Sequence, residues 1–220
     1  MNLQILHEDE HIIVCYKPSG IPTQTKKLGE QDMVSLLKNY LKGGYVAVIH
    51  RLDQPVEGLL VFAKTPFAAN ELNKGLQGAG FGKHYKAVLW GAPTKEKATL
   101  EDYLVKDGRT NTSRVADKNE KEAKRALLSY EILKKKEYDG KILSLAQLKL
   151  DTGRHHQIRV QMANLGCPIW GDAKYNTSVV QDRRFRHIAL CAYRLEFLHP
   201  KTKKQMEFEI EPKGEGFLNI

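Results

Sequence analysis

Apolar positions fall into short runs separated by turns that carry glycine and proline. Residues 3–17 read as two strands around a turn at His7-Glu8-Asp9-Glu10, the second strand holding Ile12, Ile13, Val14 and Cys15. Lys17-Pro18-Ser19-Gly20-Ile21-Pro22 reads as a rigid loop, because two prolines and a glycine exclude regular structure. Leu36, Leu37, Tyr40 and Leu41 have helical spacing, with a start near Asp32 and a stop at Gly43-Gly44. The runs VAVIH and LLVFAKT then flank the polar turn RLDQPVEG. Leu59 to Ala63 are continuously apolar, which predicts a strand buried on both faces.

Phe67, Leu72 and Leu76 predict a helix over 66–78, which Gly78, Gly80 and Gly82 break. KHYKAVLWG, 83–91, reads as a strand. Residues 106–125 are polar and basic, a mobile hairpin or loop whose cations could meet phosphates, although a charge-rich loop is more often just solvated. Strands follow over 126–133 and 141–151. A helix is expected from Gly153-Arg154 through Ile158, Val160, Met162 and Leu165, stopped by Gly166. Strands near 188–198 and 205–211 close the chain. No repeat or linker interrupts the pattern, and helices are too few for regular β-α-β alternation. The expectation is one α+β domain over 1–220 with a mainly antiparallel or mixed sheet.

Charge changes this picture most. There are 35 Lys+Arg against 26 Asp+Glu, a formal charge of +9 and a pI near 9.3. Such a surplus favours an anionic partner, nucleic acid first and an anionic membrane surface second. Cys15, Cys167 and Cys191 are far apart and without CxxC spacing. That argues against a disulfide framework or a structural zinc site and for a cytoplasmic location. The acidic N-terminal stretch is unlike a signal peptide, and no apolar run is long enough to span a membrane.

Neither phosphate-loop pattern occurs, nor HExxH, nor GxSxG. Cys167, Cys191, His187 and His199 fit buried structural roles better than a metal site. Three other stretches carry candidate chemistry. His50-Arg51-Leu52-Asp53 displays a carboxylate at a strand-to-turn junction, where it can serve as a nucleophile or base if a cation keeps it ionised. Arg51 is poorly placed for that, since neighbours on an extended segment diverge. On these residues alone, an Asp capping its own turn is the commoner situation. Gly153-Arg154-His155-His156-Gln157-Ile158-Arg159 sets Arg154 and His155 at a helix start suited to phosphate, with Arg159 one turn deeper and able to meet a buried carboxylate. Lys83, Tyr85 and Ala87 share a strand face, and a Tyr there can stack on a nucleobase, though a lone Tyr on a strand is more often core.

In sequence order these stretches resemble the RluA-type pseudouridine synthases, which isomerise uridine in RNA. HRLDQPVEGLLVFAK is similar to the family's HRLDxxTSGLLVFAK. KHYKAVLWG is similar to KxYxAxxxG, and DTGRHHQIRVQMANLGCPIWGDAKY to TGRxHQIRxHxxxxGxPIxGDxxY. EDEHIIVCYKPSGIP and LCAYRLEFLHP match the opening and closing elements. The resemblance implies a catalytic role for Asp53, which in the family attacks the sugar C1′ or the uracil, or assists glycal formation. It further implies that Tyr85 packs on the target uracil, that Arg159 pairs with the catalytic aspartate, and that Arg51 fills the gap left by the flipped base. His50, Arg154 and His155 are expected at the RNA, and Leu190 in an apolar pocket. No cofactor, metal, membrane or obligate protein partner is implied; the partner is rRNA or tRNA. The S4-type domain of many members is not expected here. Val56-Glu57 replaces the family's Thr-Ser, and Gln161 and Cys191 stand where His is usual. Glu57 would raise the pKa of Asp53 or repel phosphate unless it faces solvent. A binding protein without catalysis and an N-glycosidic hydrolase are the other function classes.

Overall fold

A computed structural model describes residues 3–27, 29–78, 80–176, 187–218 and 220. The chain forms two compact units: Met1–Lys83 with Ala192–Pro212, and His84–Cys191 with Lys213–Ile220. Every strand pair whose register is described is antiparallel, as the α+β expectation required.

In the first unit, β1 (Gln4–Glu8) and β2 (Ile12–Lys17) form a hairpin, and β2 lies beside β4 (Glu57–Ala63). The two-residue β3 (Ala47–Val48) also pairs with β4, and β4 neighbours β10 (Leu190–Leu198), which pairs with β11 (Gln205–Glu209). All seven residues of β4 are buried, which accounts for its unbroken apolar run. Helix α1 (Met33–Tyr40) starts at Asp32, whose carboxylate accepts from Ser35 N at 2.7 Å in a capping box. Helix α2 (Pro66–Gln77) starts at Thr65, with Pro66 in the first turn where its missing N–H costs nothing. Ile12, Val14, Leu59, Val61, Leu72, Phe81, Leu195 and Phe197 form the core of this unit.

The second unit orders its strands β5 (Phe81–Trp90), β9 (Lys141–Leu150), β8 (Lys124–Tyr138), β6 (Lys97–Asp107) and β7 (Thr112–Ala116). Strands β5 and β10 each have residues in both units. Val88, Leu143, Trp170 and Ala189 make one apolar cluster, and Leu104, Ala126 and Val160 another.

Of the hairpin or loop expected over 106–125, the structure shows the hairpin: the end of β6 turns into β7, and the start of β8 follows. Two expectations are corrected here. Strand β8 runs on to Tyr138, where Asp139 (φ 50°) and Gly140 (φ 70°) make the tight turn into β9. The third helix, α3 (Gln157–Asn164), begins at Gln157, not at Gly153-Arg154, because His156 adopts the left-handed conformation (φ 54°) immediately before it. It ends as expected near Gly166 (φ 81°). Gln157 through Met162 are all buried, so this helix is enclosed rather than amphipathic.

Candidate active site

Asp53, Arg51 and His50 lie in the first unit, between β3 and β4. Asp53 is half-buried, and its carbonyl accepts from Val56 N at 3.0 Å to close the turn. The proline-rich loop after β2 latches both flanks of that turn. Leu52 exchanges two bonds with Thr23: its N–H donates to Thr23 Oγ1 at 3.1 Å and its carbonyl accepts from the same hydroxyl at 3.0 Å. The Gln54 carbonyl accepts from Gly20 N at 2.9 Å and from Lys17 Nζ at 3.0 Å. The Pro55 carbonyl accepts from Ser19 Oγ at 2.7 Å. The residues on either side of Asp53 are thus fixed through their backbone.

Lys17 is fully buried. Its ammonium donates to the carbonyls of Pro18 (3.0 Å), Ile21 (2.7 Å) and Gln54. Burial pushes it down to about 7, while the negative charges of Asp53 and Glu57 hold it up. Here is the cation that the Asp53 turn needed, and sequence reasoning missed it. The signal was a lysine at the inner end of an otherwise buried strand, immediately before a proline. Glu57 does not face solvent; it is 4% exposed and accepts a hydrogen bond from Tyr16 Oη. The register explains the contact: Tyr16 pairs with Leu59, and Glu57, two residues before it, lies on the same face.

Arg51 is exposed and donates Nη2 to Gln24 Oε1 at 3.1 Å. His50 Nε2 accepts from Val61 N at 3.3 Å, and its ring meets Phe81 edge-on at 5.3 Å. Its Nδ1 is buried and has no hydrogen-bond partner among the described residues. Burial pushes the imidazole down to about 3, with the charge of Lys83 acting in the same direction. His50 therefore holds β4 in place, and its contact with RNA remains an expectation.

Tyr85, Arg154, His155, Arg159 and Leu190 lie in the second unit. Tyr85 on β5 and Leu190 at the start of β10 are both buried. Arg159 does meet a buried carboxylate: Nε donates to Asp172 Oδ2 at 2.8 Å and Nη2 to Oδ1 at 2.7 Å. Its guanidinium also lies 5.2 Å from the centre of the Tyr175 ring. Tyr175 Oη accepts from Ser113 N at 2.7 Å and shares a hydrogen bond with His156 Nδ1 at 2.8 Å. His155 pairs Nδ1 with Ser113 Oγ at 2.8 Å and stacks on His156 at 3.7 Å. Both histidines precede α3, so they do not diverge as successive residues of a helix do. Arg154 is exposed and donates Nε to the Arg125 carbonyl at 2.8 Å. Gln161 donates to Asp102 Oδ2 at 2.7 Å and so ties α3 to β6.

All three cysteines are buried and none forms a disulfide. Among the described residues no group of three or more His, Cys, Asp or Glu could hold a metal ion. No helix among them is long and apolar enough to cross a membrane.

The model of a family described as RNA pseudouridylate synthase matches residues 11–164. Ribosomal large subunit pseudouridine synthase D of Zymomonas mobilis is 32% identical over 225 residues, covering 95% of this chain and 69% of the relative. tRNA pseudouridine synthase C of Vibrio cholerae is 31% identical over 223 residues, covering 93% and 88%. Among solved structures, human RNA pseudouridylate synthase domain containing 1 has a TM-score of 0.81 at 23% identity, covering 96% of this chain and 84% of the other, a likeness of fold.

Proposed function

This chain belongs to the RNA pseudouridylate synthase family, and on that premise we propose that it isomerises a specific uridine of rRNA or tRNA with Asp53 as the nucleophile. The reaction breaks the bond from N1 of uracil to C1′ and makes one from C5 to C1′. C5 gives up its hydrogen as a proton and N1 takes one up, so atoms and electrons balance within the substrate and side chains suffice. The base must first leave its stack, at a cost of a few kcal/mol. Arg51, His50, Arg154 and His155 hold the RNA in this reading. Tyr85 packs on the uracil with Leu190 in the apolar pocket, and Arg159 is the third catalytic residue. The site of action is the cytoplasm.

One observation supports this reading most directly: Asp53 is half-buried in a turn where backbone bonds fix both of its neighbours. A nucleophile held in one geometry avoids the entropy cost of finding it.

The test is pseudouridine mapping on total rRNA and tRNA incubated with the purified protein. Asp53→Asn is expected to lower product formation by about a thousandfold or more, with RNA affinity retained. Undiminished product from that variant would remove Asp53 from the role. RNA binding without product from the wild type would favour a binding protein, and free uracil would reveal a hydrolase.

A further inference from the structure

Arg159 is 4% exposed, and a guanidinium enclosed to that degree is costly unless its surroundings compensate it. Asp172, itself buried, does so along one edge, taking Nε at 2.8 Å and Nη2 at 2.7 Å. A planar bidentate pair sets the direction of the guanidinium but leaves its two faces uncommitted. The Tyr175 ring covers one of them: Arg159 Cζ lies over it, 5.2 Å from its centre, within the range at which a ring face attracts a cation.

Tyr175 is itself fixed at both ends. Its N–H donates to Asp172 Oδ1 at 3.3 Å, the oxygen that also takes Arg159 Nη2. Its hydroxyl accepts from Ser113 N on β7 and shares a hydrogen bond with His156 Nδ1. His155 stacks on His156 and meets Ser113 Oγ through Nδ1. The contacts thus close into a ring of Ser113, Tyr175, His156 and His155. Beside it, Lys174 donates its N–H to Asp172 Oδ1 at 2.9 Å and its Nζ to the Asn111 carbonyl at 2.7 Å. Residues 172–175 are thereby stapled to the β6–β7 hairpin.

We propose that Tyr175 is a positioning residue for Arg159: its ring backs one face of the guanidinium, and its anchored hydroxyl keeps the ring there. The inference rests on the reading of Arg159 as the third catalytic residue. Tyr175 acts through Arg159 and need not touch the RNA. A guanidinium held in one orientation avoids the entropy cost of finding it during the reaction.

The experiment measures the single-turnover rate at saturating RNA, the RNA affinity and the thermal melt for the wild type, Tyr175→Phe, Tyr175→Leu and Arg159→Met. Tyr175→Phe keeps the ring and loses its hydroxyl, so the rate should fall by about three- to tenfold, the worth of one hydrogen bond. Tyr175→Leu also removes the ring face and should lower the rate about thirtyfold further. RNA affinity should stay unchanged in both. If Tyr175→Leu does not fold, Tyr175→Phe prepared with increasingly fluorinated phenylalanine drains the ring face at nearly constant shape, and the rate should fall with each fluorine. Equal rates in the Phe and Leu variants, no trend with fluorination, or a loss confined to RNA affinity overturns the proposal. An undiminished rate in Arg159→Met would instead sink the reading of Arg159, so the two failures are separable.

Discussion

At the scale of single residues, the candidate site is governed by which charges are buried and with what. Lys17 and Arg159 are both enclosed and both meet acceptors: three carbonyls take the ammonium of the one, and the two oxygens of Asp172 take two of the five donors of the other. His50 is the opposite case. Its Nε2 accepts from Val61 N, so a proton added there would face another donor. Its folded pKa, about 3, lies below the unfolded value near 6.5, so the unfolded chain takes up the proton first as pH falls. Its contribution to stability is therefore complete above about pH 6.5 and is lost as the pH drops from there towards 3. Over that window the wild type should lose up to about 1.4 kcal/mol per pH unit more than His50→Gln. Urea melts at pH 4, 5 and 6 check this, and parallel losses in the two proteins would refute it. The sequence displayed Asp53 and Glu57 plainly. It could not show Lys17 as a latch on the Asp53 turn, because the Gln54 carbonyl that it holds there lies 37 residues along the chain.

At the scale of elements, the apolar pattern located the strands and helices whose faces meet a core. Strand β4 and helices α1 and α2 follow from it directly, as does the strand near 83–91. Strand β6 was missed, and its residues explain why. Ala98, Leu100 and Leu104 lie on its inward side, but Asp102 stands among them and accepts from Gln161. A polar pair inside the fold erased the alternation. The outer part of β8, Leu133 to Glu137, is exposed throughout and pairs with β9 by backbone alone, so no apolar signal marks it. The junction of β4 with the Asp53 turn depends on Gly58. At φ 134° its backbone suits glycine, and a Cβ there would stand 2.5 Å from the Ala192 carbonyl oxygen and 2.6 Å from the Ala192 nitrogen. Both are backbone atoms of β10 and cannot swing aside. Gly58→Ala is expected to cost about 2–4 kcal/mol, which combines backbone strain with steric displacement. Thermal or denaturant melts measure it, and a change within about 0.5 kcal/mol would show that the turn relaxes freely.

For the whole molecule, the positive charge is unevenly divided. The unit His84–Cys191 with Lys213–Ile220 has 22 Lys+Arg against 14 Asp+Glu, a net +8, and the other unit has 13 against 12, a net +1. If the second unit supplies the phosphate contacts, salt sensitivity should reside there. Replacing exposed Lys118 and Lys121 with Glu should reduce the slope of log affinity for RNA against log salt by about 0.7 per lost contact. The same exchange at Lys38 and Lys42 of the first unit should leave the slope unchanged. Equal effects at both places would count against the division. The net charge, the α+β class and the motifs that mark the family were all legible in the sequence, because each is carried by residues close together along the chain. The division of charge, the partner of Arg159, the left-handed His156 that delays α3 and the buried setting of Glu57 were decided by tertiary structure. Each depends on segments distant in sequence, where backbone carbonyls and side-chain charges become neighbours only after the strands have paired.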